Sequence, residues 1–151
     1  MDQICAIIPL LIVITSFIYS LISKFSFYFF LSLGMIIASL TSEYIKKIVP
    51  RKEVFLRPTN QPCKCKYYIT KCKNIKEVGF PSTHAFMMTF FAIMVYMYHK
   101  KINLQVTISL IITLIIIIQR YTSLCHNSLQ IIAGTLLGSI FGILYYNFIL
   151  I

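Results

Sequence analysis

Five long apolar runs constrain this chain more than any other feature of its sequence. They cover roughly residues 4–22, 25–45, 82–98, 102–118 and 129–151. A helix needs about 20 mostly apolar residues to cross the hydrocarbon core of a bilayer, and each run approaches that length. Only 12% of the residues are charged, whereas a soluble domain carries roughly 25%. The runs therefore predict an all-α integral membrane protein with about five transmembrane helices in a compact bundle.

The length and net charge of the chain limit its class further. With 151 residues, we expect one membrane-embedded domain over residues 1–151. A net charge of +10 on so apolar a chain favours the bilayer and anionic lipid phosphates as partners. We expect no nucleic-acid binding, because the apolar runs leave no room for a soluble reading domain. The sequence does not define an oligomeric state.

The connections between the predicted helices gather the polar groups on one membrane face. Short turns at 23–27 and 98–103 join antiparallel helices, and residues 46–81 and 119–128 form the other two connections. Counting membrane passes puts these two connections on the same face. Residues 46–81 hold ten of the 14 basic residues. We expect the functional site on that face, although a positive-inside bias produces the same distribution.

The first polar cluster contains Lys46, Lys47 and Arg57-Pro58. Basic residues just beyond a membrane helix are commonly topology anchors. Proline biases the preceding residue to extended backbone, which favours a fixed orientation of the Arg57 guanidinium toward phosphate oxygens.

The second cluster is Pro81-Ser82-Thr83-His84, at the start of the third apolar run. Ser82 suits a helix N-cap, and the free N–H groups and dipole of a helix start attract an anion. The hydroxyls of Ser82 and Thr83 add donors, and His84 would lie in the first turn. A simple helix cap with an interfacial histidine is the alternative.

The third cluster contains Arg120, His126 and Gln130. His126 and Gln130 are four residues apart and would share one face of a helical start. Arg120 would fold back over the same place, although an arginine at a helix end often only extends to the interface. The second and third clusters contain no Asp or Glu for a divalent metal. We therefore expect no metal and no other cofactor, with cationic side chains neutralising a phosphoryl group.

Together the clusters resemble the signature of the type 2 phosphatidic acid phosphatase superfamily, which is Lys…Arg-Pro, Pro-Ser-x-His and Arg-x5-His-x3-Asp. The resemblance covers residues 40–145, with the motifs within 46–130. Gly-x-Pro-Ser-x-His and the final Gln are similar to the dolichyl diphosphatase branch. Two features depart from the pattern. The spacing between lysine and arginine is longer than the six intervening residues of the pattern, with ten between Lys46 and Arg57 or nine between Lys47 and Arg57. Gln130 also replaces the common Asp.

The resemblance implies a haloperoxidase-like helical core and metal-independent hydrolysis of dolichyl diphosphate to dolichyl phosphate and phosphate. It implies that His126 is the nucleophile and forms a phosphohistidine, that His84 is the acid and then the base, and that Gln130 orients His126. The side chains implied to bind phosphate are Lys46 or Lys47, Arg57, Ser82, Thr83 and Arg120.

The resemblance also implies a multi-pass protein of the endoplasmic reticulum with a lumenal site and a role in protein glycosylation. Positive-inside logic instead favours the cytosol. Phosphatidate or a sphingoid phosphate is an alternative substrate. A catalytically weak lipid-phosphate-binding protein, or a small membrane protein with incidental histidines, is an alternative function.

Two further patterns concern packing and redox state. Gly134, Gly138 and Gly142 line one face of the last run, and we expect them to pack within the monomer and not at a homodimer seam. A disulfide among Cys63, Cys65 and Cys72 would form in an oxidising lumen.

Overall fold

The computed structural model describes residues 2–24, 26–57 and 78–149, with side chains from residue 7 onward. Its helices are α1 (Asp2–Ser23), α2 (Ser26–Ile48), α3 (Thr83–His99), α4 (Leu104–Thr122) and α5 (Ser128–Ile149). A 3-10 turn, Glu53–Phe55, follows α2, and one isolated antiparallel bridge pairs Leu56 with Val78. Apart from this bridge, the described residues contain no β-strand. The prediction of an all-α protein with five helices is confirmed.

Among the described residues, three helices have the length and composition of membrane-spanning segments. The helices α2, α4 and α5 are long and apolar enough to cross a membrane. The part of α1 whose side chains are described, Ile7–Ser23, is a shorter apolar helix, and α3 has 17 residues, near the lower end of the spanning range. Large apolar side chains on the outer surface are exposed, among them Leu114 and Phe148. Such a surface fits lipid as the surrounding solvent.

Contacts at both ends of α2 and α3 show that these helices are antiparallel. At one end, the rings of Phe27 and Tyr98 stack with their centroids 4.0 Å apart. At the other end, the Ser42 hydroxyl donates to Thr83 Oγ1 over 3.0 Å. The predicted alternation of the chain between two faces is therefore observed for this pair. The end of α2 and the start of α3 meet on the face that carries the polar clusters.

Small residues allow α3 and α5 to pack closely in parallel. A Cβ on Gly134 would lie 2.6 Å from the carbonyl oxygen of Ser82. A Cβ on Gly138 would lie 2.3 Å from that of Phe86, and Gly142 also faces α3. The absence of side chains at these positions lets the two backbones approach each other. The expectation that this glycine stripe packs within the monomer is confirmed.

The core between α2, α3 and α5 is aromatic and methionine-rich. Its buried members are Phe27, Leu31, Met35, Ala38, Phe86, Phe90, Met94, Tyr145 and Tyr146. The Tyr145 hydroxyl donates to the carbonyl oxygen of Phe30 over 2.9 Å, so its polar atom is paired. This packing fixes the helix ends on which the polar clusters lie.

Two helices extend further than their apolar runs predict. Lys46 and Lys47 lie in the last turn of α2, and Arg120 lies in the last turn of α4. The expectation that these residues belong to the connections is wrong. A helix continues as long as its backbone hydrogen bonds do, as in the bond from Ser123 N to the carbonyl oxygen of Gln119. Hydropathy detects only the part that contacts lipid.

Candidate active site

The start of α3 has the predicted N-cap. The Ser82 side chain, which is fully buried, accepts a hydrogen bond from Ala85 N over 3.5 Å. Ser82 N donates to the carbonyl oxygen of Gln130 over 2.9 Å, which joins this helix start to the start of α5. His84 is the second residue of α3 and is half-buried. The second and third sequence clusters therefore adjoin each other in the fold.

A reciprocal capping box begins α5. Asn127 Oδ1 accepts from Gln130 N over 2.9 Å, and Gln130 Oε1 accepts from Asn127 N over 3.3 Å. His126 precedes the cap and is not inside the helix, so the predicted shared helical face is not what brings it to Gln130. The turn of the capping box does so instead.

Gln130 holds the ring of His126 in one orientation. Gln130 Oε1 lies 3.1 Å from His126 Nδ1, and Gln130 Nε2 donates to the carbonyl oxygen of Leu56 over 2.7 Å. Because the amide N–H faces a carbonyl, the amide oxygen must face the imidazole, and Nδ1 must carry the proton. The lone pair of a neutral His126 is then on Nε2, the nitrogen available for attack.

Burial and nearby cations keep His126 neutral. Its side chain is 6% exposed, and its pKa is lowered from 6.5 to about 3, with burial as the largest cause. The positive charges of Arg57 and Lys46, and to a smaller extent that of Arg120, lower this pKa as well, whereas the Gln130 hydrogen bond raises it. These cations thus lie close enough to act on the same imidazole. An anion placed among them would be strongly attracted.

The Arg57 segment lies against both other clusters. Gly79 N donates to the carbonyl oxygen of Phe55 over 2.8 Å. A Cβ on Gly79 would lie 2.6 Å from Gln130 Oε1 and 3.0 Å from Arg57 Cγ. Glycine at this position therefore lets Arg57 and Gln130 approach from the two sides. Pro58 lies outside the described residues.

The structure separates the two candidate lysines. Lys46 Nζ contacts Thr83 Oγ1 and forms an ion pair of 2.6 Å with Glu43 Oε1. Its side chain is 13% exposed, and its charge acts on His126. Lys47 is exposed. Of the two, Lys46 is the lysine that the structure brings to the cluster.

Glu43 is a residue of this site that the motif analysis missed. Thr83 Oγ1 donates its one proton to Glu43 Oε1 over 2.8 Å and is contacted by Ser42 and Lys46 as well. The hydroxyl of Thr83 thus connects the end of α2 to the start of α3. The three-residue spacing of Glu43 and Lys46 on a helix was the available sequence signal.

Arg120 is buried although it is charged. It is 2% exposed, and it projects from the last turn of α4 into the bundle. An arginine that only reaches the lipid–water interface would be exposed at its head group. A buried guanidinium at the end of a membrane helix is costly to desolvate and commonly functional. Among the described residues, no group of three or more His, Cys, Asp and Glu is placed to hold a metal ion.

The cysteine next to His126, Cys125, is buried, with 1% of its surface exposed. Its Sγ lies 3.3 Å from Ser123 Oγ. The predicted disulfide among Cys63, Cys65 and Cys72 lies outside the described residues.

Comparisons with known proteins place the whole cluster inside one family match. A family model described as the PAP2 superfamily matches residues 27–150, from α2 to α5. No curated protein gives a match. No solved structure gives one either.

Proposed function

Because the chain belongs to the PAP2 superfamily, we propose that it is an integral membrane phosphatase that hydrolyses a lipid pyrophosphate through a phosphohistidine on His126. The observation that carries this proposal is the state of His126. Its imidazole is buried and neutral, and its Nδ1 faces Gln130. Cations surround it where a phosphoryl group would bind. Dolichyl diphosphate is the proposed substrate, as the motif resemblance implies.

In the first step, His126 Nε2 attacks the terminal phosphorus. The P–Nε2 bond forms while the bond from phosphorus to the bridging oxygen breaks. The lipid phosphate leaves, with a proton from His84 on the departing oxygen. The phosphorylated ring is cationic, and Gln130 Oε1 accepts its Nδ1–H without a full negative charge. A phosphate leaving group departs readily, so this weaker support suffices for an anhydride.

In the second step, water attacks the phosphohistidine. His84, now neutral, takes a proton from the water as the new P–O bond forms and the P–Nε2 bond breaks. Inorganic phosphate leaves, and His126 returns to its neutral form. Both steps use protein groups and water only, so we expect the activity to survive EDTA.

The proposed phosphate contacts follow from the positive charges around His126. Arg57, Lys46 and Arg120 would neutralise the equatorial oxygens, together with the start of α3. Ser82 would donate its hydroxyl. The Thr83 hydroxyl donates its hydrogen bond to Glu43 in the structure. Thr83 would therefore assist phosphate binding mainly through its contact with Lys46.

We place the active face in the lumen of the endoplasmic reticulum, with a role in protein glycosylation. The motif resemblance supports this location. The charge distribution points the other way, but the basic residues near His126 are those that phosphate binding requires.

Phosphatidate or a sphingoid phosphate is the competing substrate class. A phosphate group is the part that Arg57 and Lys46 would recognise, and these substrates also carry one. Their leaving group is an alkoxide, which needs more assistance than Gln130 offers. Headgroup binding without turnover is the remaining alternative.

Phosphate release by purified protein in detergent tests the proposal. Dolichyl diphosphate, phosphatidate and sphingosine phosphate are compared in EDTA, with His126→Ala as the test variant and His99→Ala as its control. His99 ends α3 at the opposite end of the bundle. We expect the first substrate to be preferred, and His126→Ala to fall below about a tenth of the wild-type rate while His99→Ala stays near it. Equal rates for both variants would rule out the mechanism.

A further inference from the structure

The backbone just before Arg57 is held to α5 by two side-chain amides. Asn127 Nδ2 donates to the carbonyl oxygen of Val54 over 3.2 Å, and Gln130 Nε2 donates to that of Leu56 over 2.7 Å. Val54 lies in the 3-10 turn Glu53–Phe55, and Leu56 is the extended residue that ends this turn. The two amides therefore bind the carbonyls on either side of Phe55, in the segment that ends at Arg57.

The carbonyl of Phe55, between these two, is also paired. Phe55 O accepts from Gly79 N over 2.8 Å, so the segment lies between the residues before α3 and the start of α5. The bridge between Leu56 and Val78 belongs to the same contact. These bonds connect the backbone around Arg57 to both other clusters.

Asn127 uses its two side-chain atoms for different purposes. Its Oδ1 caps α5 by accepting from Gln130 N, while its Nδ2 binds Val54. Serine and aspartate cap helices about as well as asparagine, but they lack the amide N–H. A pure cap would not need the second bond.

We propose that Asn127 is a positioning residue that sets the place of Arg57 relative to His126. It ties the Arg57 segment to the same capping box whose Gln130 orients His126. A phosphate bound by Arg57 then lies at a fixed separation from the attacking nitrogen. The inference deepens the proposed function and rests on it. Asn127 itself touches no reacting atom.

The variant Asn127→Ser tests this role, because serine retains the cap and removes the donor to Val54. The matched control is Asn103→Ser. Asn103 caps α4 through a bond of 2.9 Å from Val106 N, at the other end of the bundle. Loss of one net hydrogen bond corresponds to roughly threefold to tenfold in binding. We expect Asn127→Ser to weaken inorganic phosphate binding by about this factor, and Asn103→Ser to leave it unchanged.

Two measurements make the comparison decisive. Phosphate binding is followed by 31P NMR titration of purified protein in detergent, and kcat and KM are measured on dolichyl diphosphate. We expect KM to rise in Asn127→Ser, with a melting temperature close to that of the wild type. In an Arg57→Ala background, Asn127→Ser should weaken phosphate binding little further, because the two residues act through one path.

Three outcomes would overturn the inference. One is wild-type phosphate binding in Asn127→Ser, and another is equal weakening by Asn103→Ser, which would indicate a cap effect alone. The third is full additivity with Arg57→Ala. A wild-type chain that binds phosphate but releases none from lipid would instead remove the proposed function, and the binding comparison would still decide the role of Asn127.

Discussion

At the scale of single residues, Gln130 has the most consequences. An aspartate in its place would accept from His126 but would have no proton for the Leu56 carbonyl. The amide satisfies both, at 3.1 Å and 2.7 Å, from a fully buried position. The structure thus gives a physical reason for the departure from the superfamily pattern. A carboxylate would stabilise a positive charge on His126, and it would lose the hydrogen bond that holds the Arg57 segment.

Replacement of Gln130 by Glu tests which of these effects is larger. We expect kcat/KM near neutral pH to fall about tenfold or more, because the Leu56 carbonyl would face a carboxylate. At lower pH the protonated acid regains a donor, so the ratio of mutant to wild-type activity should rise on acidification. Activity above that of the wild type at neutral pH would contradict this account.

The protonation of His126 yields a second prediction. With a pKa of about 3, its ring should stay neutral from about pH 8 to about pH 5. Histidine-selective NMR of wild-type protein checks this, with His126→Gln identifying the signal. A midpoint above about 5 would contradict it.

The same low pKa affects stability, and its sign follows from proton uptake. Below about 6.5 the unfolded chain gains a proton that the folded chain does not. The contribution of His126 to stability is therefore complete above that pH and decreases as the pH falls toward 3.

At the scale of elements, the packing of α3 against α5 determines the geometry of the candidate site. Their starts carry His84, Ser82 and Gln130, and their close approach depends on glycines at four-residue spacing. Ser82 N can reach the carbonyl of Gln130 only while the helices stay this close. Packing in the membrane interior thus determines geometry at the polar face.

Alanine substitutions in this glycine stripe should differ in a graded way. In Gly138→Ala the new Cβ would meet backbone, Phe86 O at 2.3 Å, whereas in Gly142→Ala it would first meet the Ile93 side chain at 3.0 Å. We expect Gly138→Ala to lose about 1–3 kcal/mol of stability and Gly142→Ala less. Thermal unfolding in detergent measures both. A larger loss for Gly142→Ala would contradict the packing described above.

At the scale of the whole molecule, the helices divide the chain between two membrane faces. The end of α2 and the starts of α3 and α5 meet on the face that carries the polar clusters. The turns after α1 and α3, which contain Lys24 and Lys100, lie at the opposite end. Each turn has a lysine in the left-handed conformation, with φ of 56° and 54°. One exposed position at each end of the bundle can therefore report on which side of the membrane that end lies.

Cysteine labelling in sealed microsomes tests the proposed lumenal site. Lys52→Cys lies on the active face and Lys101→Cys on the other, and both positions are exposed. An impermeant maleimide should label Lys101→Cys in intact microsomes and Lys52→Cys only after permeabilisation. The wild-type chain sets the background from its own five cysteines. The reverse pattern would put the active site in the cytosol.

The sequence by itself determined the fold class, the number of helices and the face that carries the polar clusters. Hydropathy and membrane thickness are local constraints, so the apolar runs and the order of the motifs suffice for these conclusions. The same runs placed the ends of α2 and α4 too early, because helical hydrogen bonding continues past the last lipid-facing residue.

Only the tertiary structure decided which lysine joins the cluster and why position 130 holds an amide. Lys46 and Lys47 are equivalent in sequence, and the Thr83 hydroxyl from another helix distinguishes them. The partners of Gln130 and Asn127 are carbonyls more than 70 residues away. Backbone carbonyls exist at every residue and leave no sequence signal, so such contacts appear only once the helices have packed.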